Sequence, residues 1–443
     1  MIRKSANKMR WLQPIRIVEK DLIREDHRMV TIVRIPGCLS SFFRPQRRGF
    51  SKPAWPHFWG LVVAMAVGTE HTIERLNALL RKHSHRTNDG EFMWRNDFDE
   101  ARTQQGMALR LLDRVYRDGD RIYFILDDTQ TLKRAKKMDA VGRLYHHATG
   151  RYGTGHTILK ASLYCNGVTI PWGSWLYVKK EHAGKLERPF VTLTELAAKA
   201  IGGLPLPSTM DVTVLFDSYY LCGTVARAVS AKGWHYISVA KKNRKFQHES
   251  RSHPIGKYGP NVIGRSGKWM KITGLRKAHR YLVAARTGTM KKLGEVKVVF
   301  SRRRGDHKPI ALVTNDRART ARRVVADYLC RWSIELLIKD EKQHLGLGAY
   351  RVLRYRAVVR HLHLVDAAYA CLTHLGLDAQ DAQGQTPREK HALRSTSTAL
   401  RLPPIRQLKS RLRQEVWNEA LQNVLKVSHD KKVIRRLEKL LAA

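Results

Sequence analysis

The sequence predicts an α/β fold, and three observations predict it. Short apolar runs rich in β-branched and aromatic residues recur from about residue 120 onward. Between them lie stretches whose apolar residues return every three or four positions, the period of a helix. Two of the apolar runs stop at an aspartate, and functional groups in an open α/β sheet collect at strand carboxyl ends. Strands alternating with helices build a sheet with helices packed on it.

The elements follow in order. Residues 1–50 are basic and weakly periodic, broken by Pro14, Pro36 and Pro45, and are expected to be a poorly ordered arm, or in part upstream sequence that packs on nothing. Residues 53–115 read as helical. Phe58-Trp59-Gly60-Leu61-Val62-Val63 and then Ile73, Leu76, Leu79 and Leu80 recur at helical spacing, which suits a small DNA-binding domain. Arg121 to Leu126 reads as a buried strand ending at Asp127-Asp128-Thr129. Strands are expected at Ile158 to Leu163 and Trp172 to Val178, joined by the turn Asn166-Gly167. A helix over Thr192 to Ile201 leads to a strand from Asp211 to Phe216, which ends at Asp217. A helix, Leu221 to Lys232, then leads to a strand at Trp234 to Val239. Residues 243–310 interrupt the alternation as a β-rich insertion, with strands at Tyr281 to Arg286, Val296 to Ser301 and Ile310 to Thr314. Helices are expected from Arg319 past Lys342 and from Val358 to Leu375. Residues 378–389 read as a linker, and 390–443 as a basic helical tail that pairs two subunits. The α/β unit thus spans 120–365, flanked by helical N- and C-terminal regions.

Charge narrows the partners. The 443 residues carry 82 Lys and Arg against 38 Asp and Glu, a net charge of 82 − 38 = +44. Such a chain repels itself unless a polyanion neutralises it, and nucleic acid releases counterions when it does so. The best apolar run, Leu61 to Val67, is too short to span a bilayer, so no membrane partner is expected. Met1 to Arg10 is basic and polar with no apolar stretch behind it, which points to the cytoplasm. The five cysteines form no CxxC pair, which argues against a cysteine-built zinc site.

The candidate chemistry is acidic. Asp127 and Asp217 follow apolar strands and offer the hard oxygen donors that Mg²⁺ prefers; the plainer reading is a turn or helix-cap aspartate. Asp128 competes with Asp127, because alternation sends the two to opposite faces. On one helix at about 100° per residue, Tyr328, Arg331, Glu335 and Lys342 would share an arc of roughly 60°. That stripe sets a carboxylate among two cations and a phenol; its plainer reading is an i, i+4 salt bridge between Arg331 and Glu335. Three carboxylates suit two metal ions about 4 Å apart, which would clamp the attacking and leaving oxygens of a phosphodiester. Lys241 and Lys242, and the run Arg302-Arg303-Arg304, could meet phosphates or be solvated loop charges. Trp269 and Trp332 could stack on an unpaired base, although tryptophans are more often core. His146, His147 and His156 lack a second cluster at ligand spacing and read as structural or phosphate-contacting.

These residues carry a resemblance. Tyr328-x2-Arg331-x3-Glu335-x6-Lys342 is similar to the Y–R–E–K signature of bacterial insertion-sequence transposases of the insertion sequence four class. Asp127-x-Thr129 resembles their first catalytic aspartate segment, and Val214-Leu215-Phe216-Asp217 the strand of their second. The resemblance spans roughly residues 120–365 and selects Asp127 over Asp128. It implies a ribonuclease H-like catalytic core with a β-rich insertion before the last acidic helix. It implies that Asp127, Asp217 and Glu335 are catalytic and bind Mg²⁺, with Mn²⁺ as a substitute. It also implies that Tyr328, Arg331 and Lys342 contact the terminal phosphates of a mobile element. The expected activity is DNA cleavage at element ends and strand transfer into target DNA, by a homodimer on double-stranded DNA at the bacterial nucleoid. A decayed or domesticated DNA-binding protein of the same fold is the competing expectation.

Overall fold

The computed structural model describes residues 31–80, 85–135, 137–146, 149–275, 277–382 and 400–427. Helices open the chain: α1 (Gly37–Phe43), α2 (Ala54–Val67), α3 (Ile73–Asn77), α4 (Arg86–Phe92) and α5 (Glu100–Val115). Residues 31–50 depart from the expected loose arm. Leu39, Phe42 and Phe43 are buried, and Phe50 stacks on Phe58 with ring centroids 4.4 Å apart. Four large apolar groups at near-helical spacing demand cover, while Arg44 and Arg48 stay exposed and half-buried Arg47 donates to the Phe50 carbonyl at 2.8 Å. The rest of that predicted arm lies outside the described residues.

The sheet begins with β1 (Ile122–Leu132), β2 (Gly142–His146), β3 (Arg151–Cys165) and β4 (Val168–Tyr177). Asn166 and Gly167 turn β3 into β4 with φ of 48° and 89°, the left-handed pair that a two-residue hairpin needs. After α6 (Lys180–Ala183) comes α7 (Leu193–Gly202), whose Thr192 and Glu195 form a reciprocal capping box. Then follow β5 (Val212–Phe216), α8 (Gly223–Ala231) and β6 (His235–Val239). All five residues of β5 are buried, the continuous apolar pattern of a central parallel strand.

Residues 243–310 add β7 (Lys245–His248), β8 (Arg251–Pro254), α9 (Ile255–Ser266), β9 (Lys268–Thr273), β10 (Ala278–Met290) and β11 (Gly294–Arg303). Helix α9 goes beyond the β-rich reading of this stretch. These strands join the main sheet through β12 (Ile310–Thr314), which pairs antiparallel with both β11 and β6. The result is one twelve-stranded mixed sheet in the order β2-β3-β1-β5-β6-β12-β11-β10-β7-β8, with β4 on β3 and β9 on β10. The molecule is thus a mixed α/β fold with a large sheet and helices packed on it.

Four helices complete the described chain: α10 (Ala321–Leu329), α11 (Trp332–His344), α12 (Tyr355–Ala382) and α13 (Ile405–Val427). The expected linker at 378–389 is corrected in its first part, because α12 continues to Ala382. Arg114 pairs with Asp378 at 2.8 Å and Asp381 at 2.5 Å, so acids that read as linker form the charged end of a helix. Residues 383–389 lie outside the described residues. α13 turns Leu408, Leu412, Val416 and Leu421 inward against its own chain. Lys409 Nζ, buried beneath it, donates to the carbonyls of Gly68 and His344, where α2 and α11 end.

Candidate functional site

The site grows from strand register. β1 and β5 run parallel, with Ile122 opposite Val212 and Ile125 opposite Leu215. Asp127 and Asp217 each stand two residues beyond the Ile125–Leu215 pair. They therefore share one face at neighbouring positions on strands about 4.8 Å apart. The expected end of β1 at Asp127 is corrected: the strand runs on to Leu132, because β3 continues to pair with it and sets Lys160 opposite Asp127. Alternation turns Asp128 away, and its carboxylate accepts from the Tyr220 hydroxyl at 2.9 Å.

Burial pushes the Asp127 carboxyl up to about 7; Arg331 opposes the rise, while Asp128 and Asp217 add to it. The Asp128 amide donates to Asp127 Oδ1 at 3.0 Å, and the Tyr219 amide donates to Asp217 Oδ1 at 2.8 Å.

The single expected helix carrying the Tyr328–Lys342 stripe is two helices. α10 stops at Leu329 and α11 starts at Trp332, with a turn at Cys330-Arg331. The turn swings Arg331 inward. Its Nη1 donates to Asp127 Oδ2 at 3.0 Å, and its Nη2 donates to Glu335 Oε1. The Arg331 guanidinium lies 5.8 Å from the Tyr328 ring centroid. Burial pushes the Tyr328 phenol up to about 12; Arg331 opposes this, and Asp217 and Asp127 reinforce it. Lys342 is exposed and donates to the Gln130 carbonyl at 3.1 Å, three residues beyond Asp127 on β1. The structure thus brings Asp127, Asp217, Tyr328, Arg331, Glu335 and Lys342 to one edge.

The other candidates fall around that edge. β6 is parallel to β5, with Ser238 opposite Phe216, so exposed Lys241 and Lys242 follow it at the same carboxyl end. Trp332 is 55% exposed and Trp269 46%, against the expectation of core tryptophans. Trp332 forms part of a cleft of about 340 Å³ with Lys277, His279, Tyr281, Arg303 and Leu336. His156 is buried between the Tyr350 hydroxyl at 2.7 Å and the Asp139 carbonyl at 2.8 Å, a structural role. His147 lies outside the described residues.

The fit to a divalent ion turns on these donors. Among the described residues, no three acidic, histidine or cysteine side chains close within reach of one ion. Arg331 stands between Asp127 and Glu335 and satisfies both. The donors nevertheless suit a hard cation: they are carboxylate oxygens, and the mutual repulsion around Asp127 is what an ion would relieve.

Sequence reasoning missed a second ionic cluster on the same sheet face. Lys160 Nζ is wholly buried and donates to Ser174 Oγ at 2.8 Å, Glu341 Oε1 at 2.9 Å and Asp366. Ser174 Oγ donates to Asp366 Oδ2 at 2.7 Å. The signals were a lone lysine inside Ile158-Leu159-Lys160-Ala161, and Glu341 on the buried stripe Ile334, Leu337, Ile338 of α11. A third cluster, around buried Asp327, ties α10 to β1. Asp327 accepts from the Tyr123 hydroxyl at 2.6 Å and from Arg121 and Arg319 at 3.0 Å each.

Compared with known proteins, residues 195–371 match the transposase DDE domain family. That span contains Asp217, Tyr328, Arg331, Glu335 and Lys342; Asp127 precedes it. Over 70 residues the chain is 41% identical to a Sinorhizobium fredii (strain NBRC 101917 / NGR234) protein named "Putative transposase y4zB", covering 16% of this chain and a fifth (20%) of that relative's length. Among the described residues, no helix is long and apolar enough to cross a membrane.

Proposed function

We propose, from the premise that residues 195–371 are a transposase DDE domain, that this chain cuts DNA at the ends of an insertion sequence and joins those ends to target DNA. The observation that carries the reading is the parallel register setting Asp127 and Asp217 side by side, with Arg331 and Glu335 folded over them. The strand order β4-β3-β1-β5-β6, with β1, β5 and β6 parallel, supports a ribonuclease H-like core. The Tyr328–Lys342 spacing supports the insertion sequence four class.

Asp127, Asp217 and Glu335 would hold Mg²⁺ or Mn²⁺. The ion would supply charge neutralisation at the phosphodiester and a more acidic attacking hydroxyl. The chain's own groups do the positioning. Arg331 is a planar fork that can exchange its carboxylates for phosphate oxygens, at which point Glu335 is released toward the aspartates. Tyr328 stays neutral at physiological pH and offers a hydroxyl donor beside Arg331. Lys342 now holds a main-chain carbonyl at the exposed rim and can turn to a phosphate. Lys241, Lys242 and Trp332 present further cationic and aromatic surface on the same edge. No protein nucleophile is required, since water or a DNA 3′-hydroxyl attacks and orientation does the rest.

The helical region 53–115 is proposed to recognise element ends, with the protein acting as a dimer on double-stranded DNA in the bacterial nucleoid. The test is cleavage and joining of duplexes carrying the flanking ends of this gene's own element, in Mg²⁺ or Mn²⁺. Wild type is expected to cut at the ends, while Asp127→Ala, Asp217→Ala and Glu335→Ala bind without cutting. Binding with no cutting by wild type in either metal would instead identify a non-catalytic DNA-binding protein.

A further inference from the structure

The strands β2 and β3 project beyond the sheet as a two-stranded ribbon, and its exposed face is unused by the site above. Tyr145 pairs across the ribbon with Tyr152, and Arg143 with Thr154. Tyr152 is 66% exposed and Tyr145 41%. Their ring centroids lie 5.3 Å apart at 68°, and the Arg143 guanidinium sits 4.6 Å above the Tyr152 ring. Two large aromatics held in water by a cation form a ready contact surface.

Register fixes which way that surface faces. Side chains on a strand alternate, so Tyr152, Thr154, His156, Ile158 and Lys160 share one face. Lys160 is opposite Asp127, so Tyr145, Tyr152 and Arg143 face the side of the sheet that carries Asp127 and α11. The pairings of β3 with β1 and with β2 show no slip over this stretch. From Lys160 to Tyr152 is eight residues, about 26 Å at 3.3 Å per residue. Along duplex DNA at 3.4 Å per base pair, that is about eight base pairs.

Charge selects the occupant. Neither ribbon strand, Gly142–His146 or Arg151–Gly155, contains a carboxylate, and both carry arginine. A second copy of this +44 chain would meet repulsion there, whereas DNA phosphates accept from Arg and Tyr. The DNA major groove admits a two-stranded β-ribbon.

We propose that the β2–β3 ribbon is a second DNA-contact surface, in which Tyr145, Tyr152 and Arg143 grip the duplex about eight base pairs from the reacting phosphate. The proposal rests on the DNA-cleavage reading above. The test uses the full chain and duplexes carrying the gene's own element end, trimmed to arms of 4, 8 or 12 base pairs (about half, one and one and a half times the span above) on either side of the cut. Wild type should bind about tenfold tighter once one arm exceeds about eight base pairs. A hydroxyl-radical footprint should protect that position. Tyr145→Ser/Tyr152→Ser, and separately Arg143→Gln, should abolish both the step and the protection while cutting the shortest duplex at the wild-type rate. These side chains are at the surface, so melting temperatures should match wild type. Wild-type cleavage with no length step, or variants that keep the step and the footprint, would overturn the ribbon proposal alone. Absence of binding and cutting at every length would overturn the DNA-cleavage reading, and this proposal with it.

Discussion

Helix α11 meets the same face of the sheet through two ionic clusters that differ in one respect. Toward its C-terminal end, Glu341 meets Lys160 and Asp366, all of them wholly buried. At its start, Arg331 meets Asp127 and Glu335 with side chains 17%, 19% and 29% exposed. In the buried cluster one lysine faces two acids, and burial drives the Glu341 carboxyl up, with Asp366 adding to the rise and Lys160 opposing it. In the half-buried cluster two acids share one arginine, and Asp217 stands alongside. The first is closed to any partner. The second is reachable from solvent, as the proposed exchange of its cation for phosphate or metal needs.

The largest effect should come from separating stability and activity. Asp127→Asn or Glu335→Gln is expected to lower single-turnover DNA cleavage by at least about a thousandfold, the scale of losing a transition-state charge partner. Denaturant unfolding of the same variants should show little loss of stability. The buried cluster should behave oppositely. Lys160→Met leaves two buried acids without a cation and should cost about 3–5 kcal/mol by denaturant titration. The combined Lys160→Met/Glu341→Leu/Asp366→Leu replacement should recover much of that. A Lys160→Met protein as stable as wild type would break the comparison.

The pH dependence sharpens it. The Asp127 carboxyl starts from 3.8 when unperturbed and is pushed up to about 7 in the fold. Between those values the folded chain keeps a proton that the unfolded chain has released. This contribution is therefore full below about pH 4 and is lost as pH rises toward 7. Asp127→Asn should flatten that window in chemical denaturation from pH 4 to 8. An ion must displace that proton, so cleavage at fixed, subsaturating Mg²⁺ should fall on acidification, with a midpoint that moves to lower pH as Mg²⁺ is raised. A profile flat from pH 5 to 8 would contradict it. The smallest effect concerns the rim: Arg331→Met and Lys342→Met should each reduce the log–log salt slope of DNA binding by about 0.9, one phosphate contact. An unchanged slope would make them ordinary surface charges.

Much of this arrangement was legible in the sequence, and the exceptions have causes. The runs ending at Asp127 and Asp217 were readable because buried parallel strands are continuously apolar. The length of β1 was not, because Gln130 and Thr131 extend it through pairing with β3 rather than through their own propensity. The Tyr328–Lys342 spacing located the helical segment that meets Asp127, but the turn at Cys330-Arg331 is tertiary: Arg331 is drawn inward by Asp127, 204 positions away. Trp332 looked like core by composition and is exposed because that turn points it outward. The Lys160 cluster was hidden because each member looks like a lone polar intruder until three distant segments meet.

The most direct test sets neighbours against each other: single-turnover cleavage of the element-end duplex in Mg²⁺ by Asp127→Asn and by Asp128→Asn. Asp127→Asn should be inactive, because Asp127 shares its face with Asp217 and Arg331. Asp128→Asn, which alters the contact to Tyr220 on the opposite face, should retain cleavage within about an order of magnitude. Retained cleavage in Asp127→Asn with loss in Asp128→Asn would contradict the site as built here.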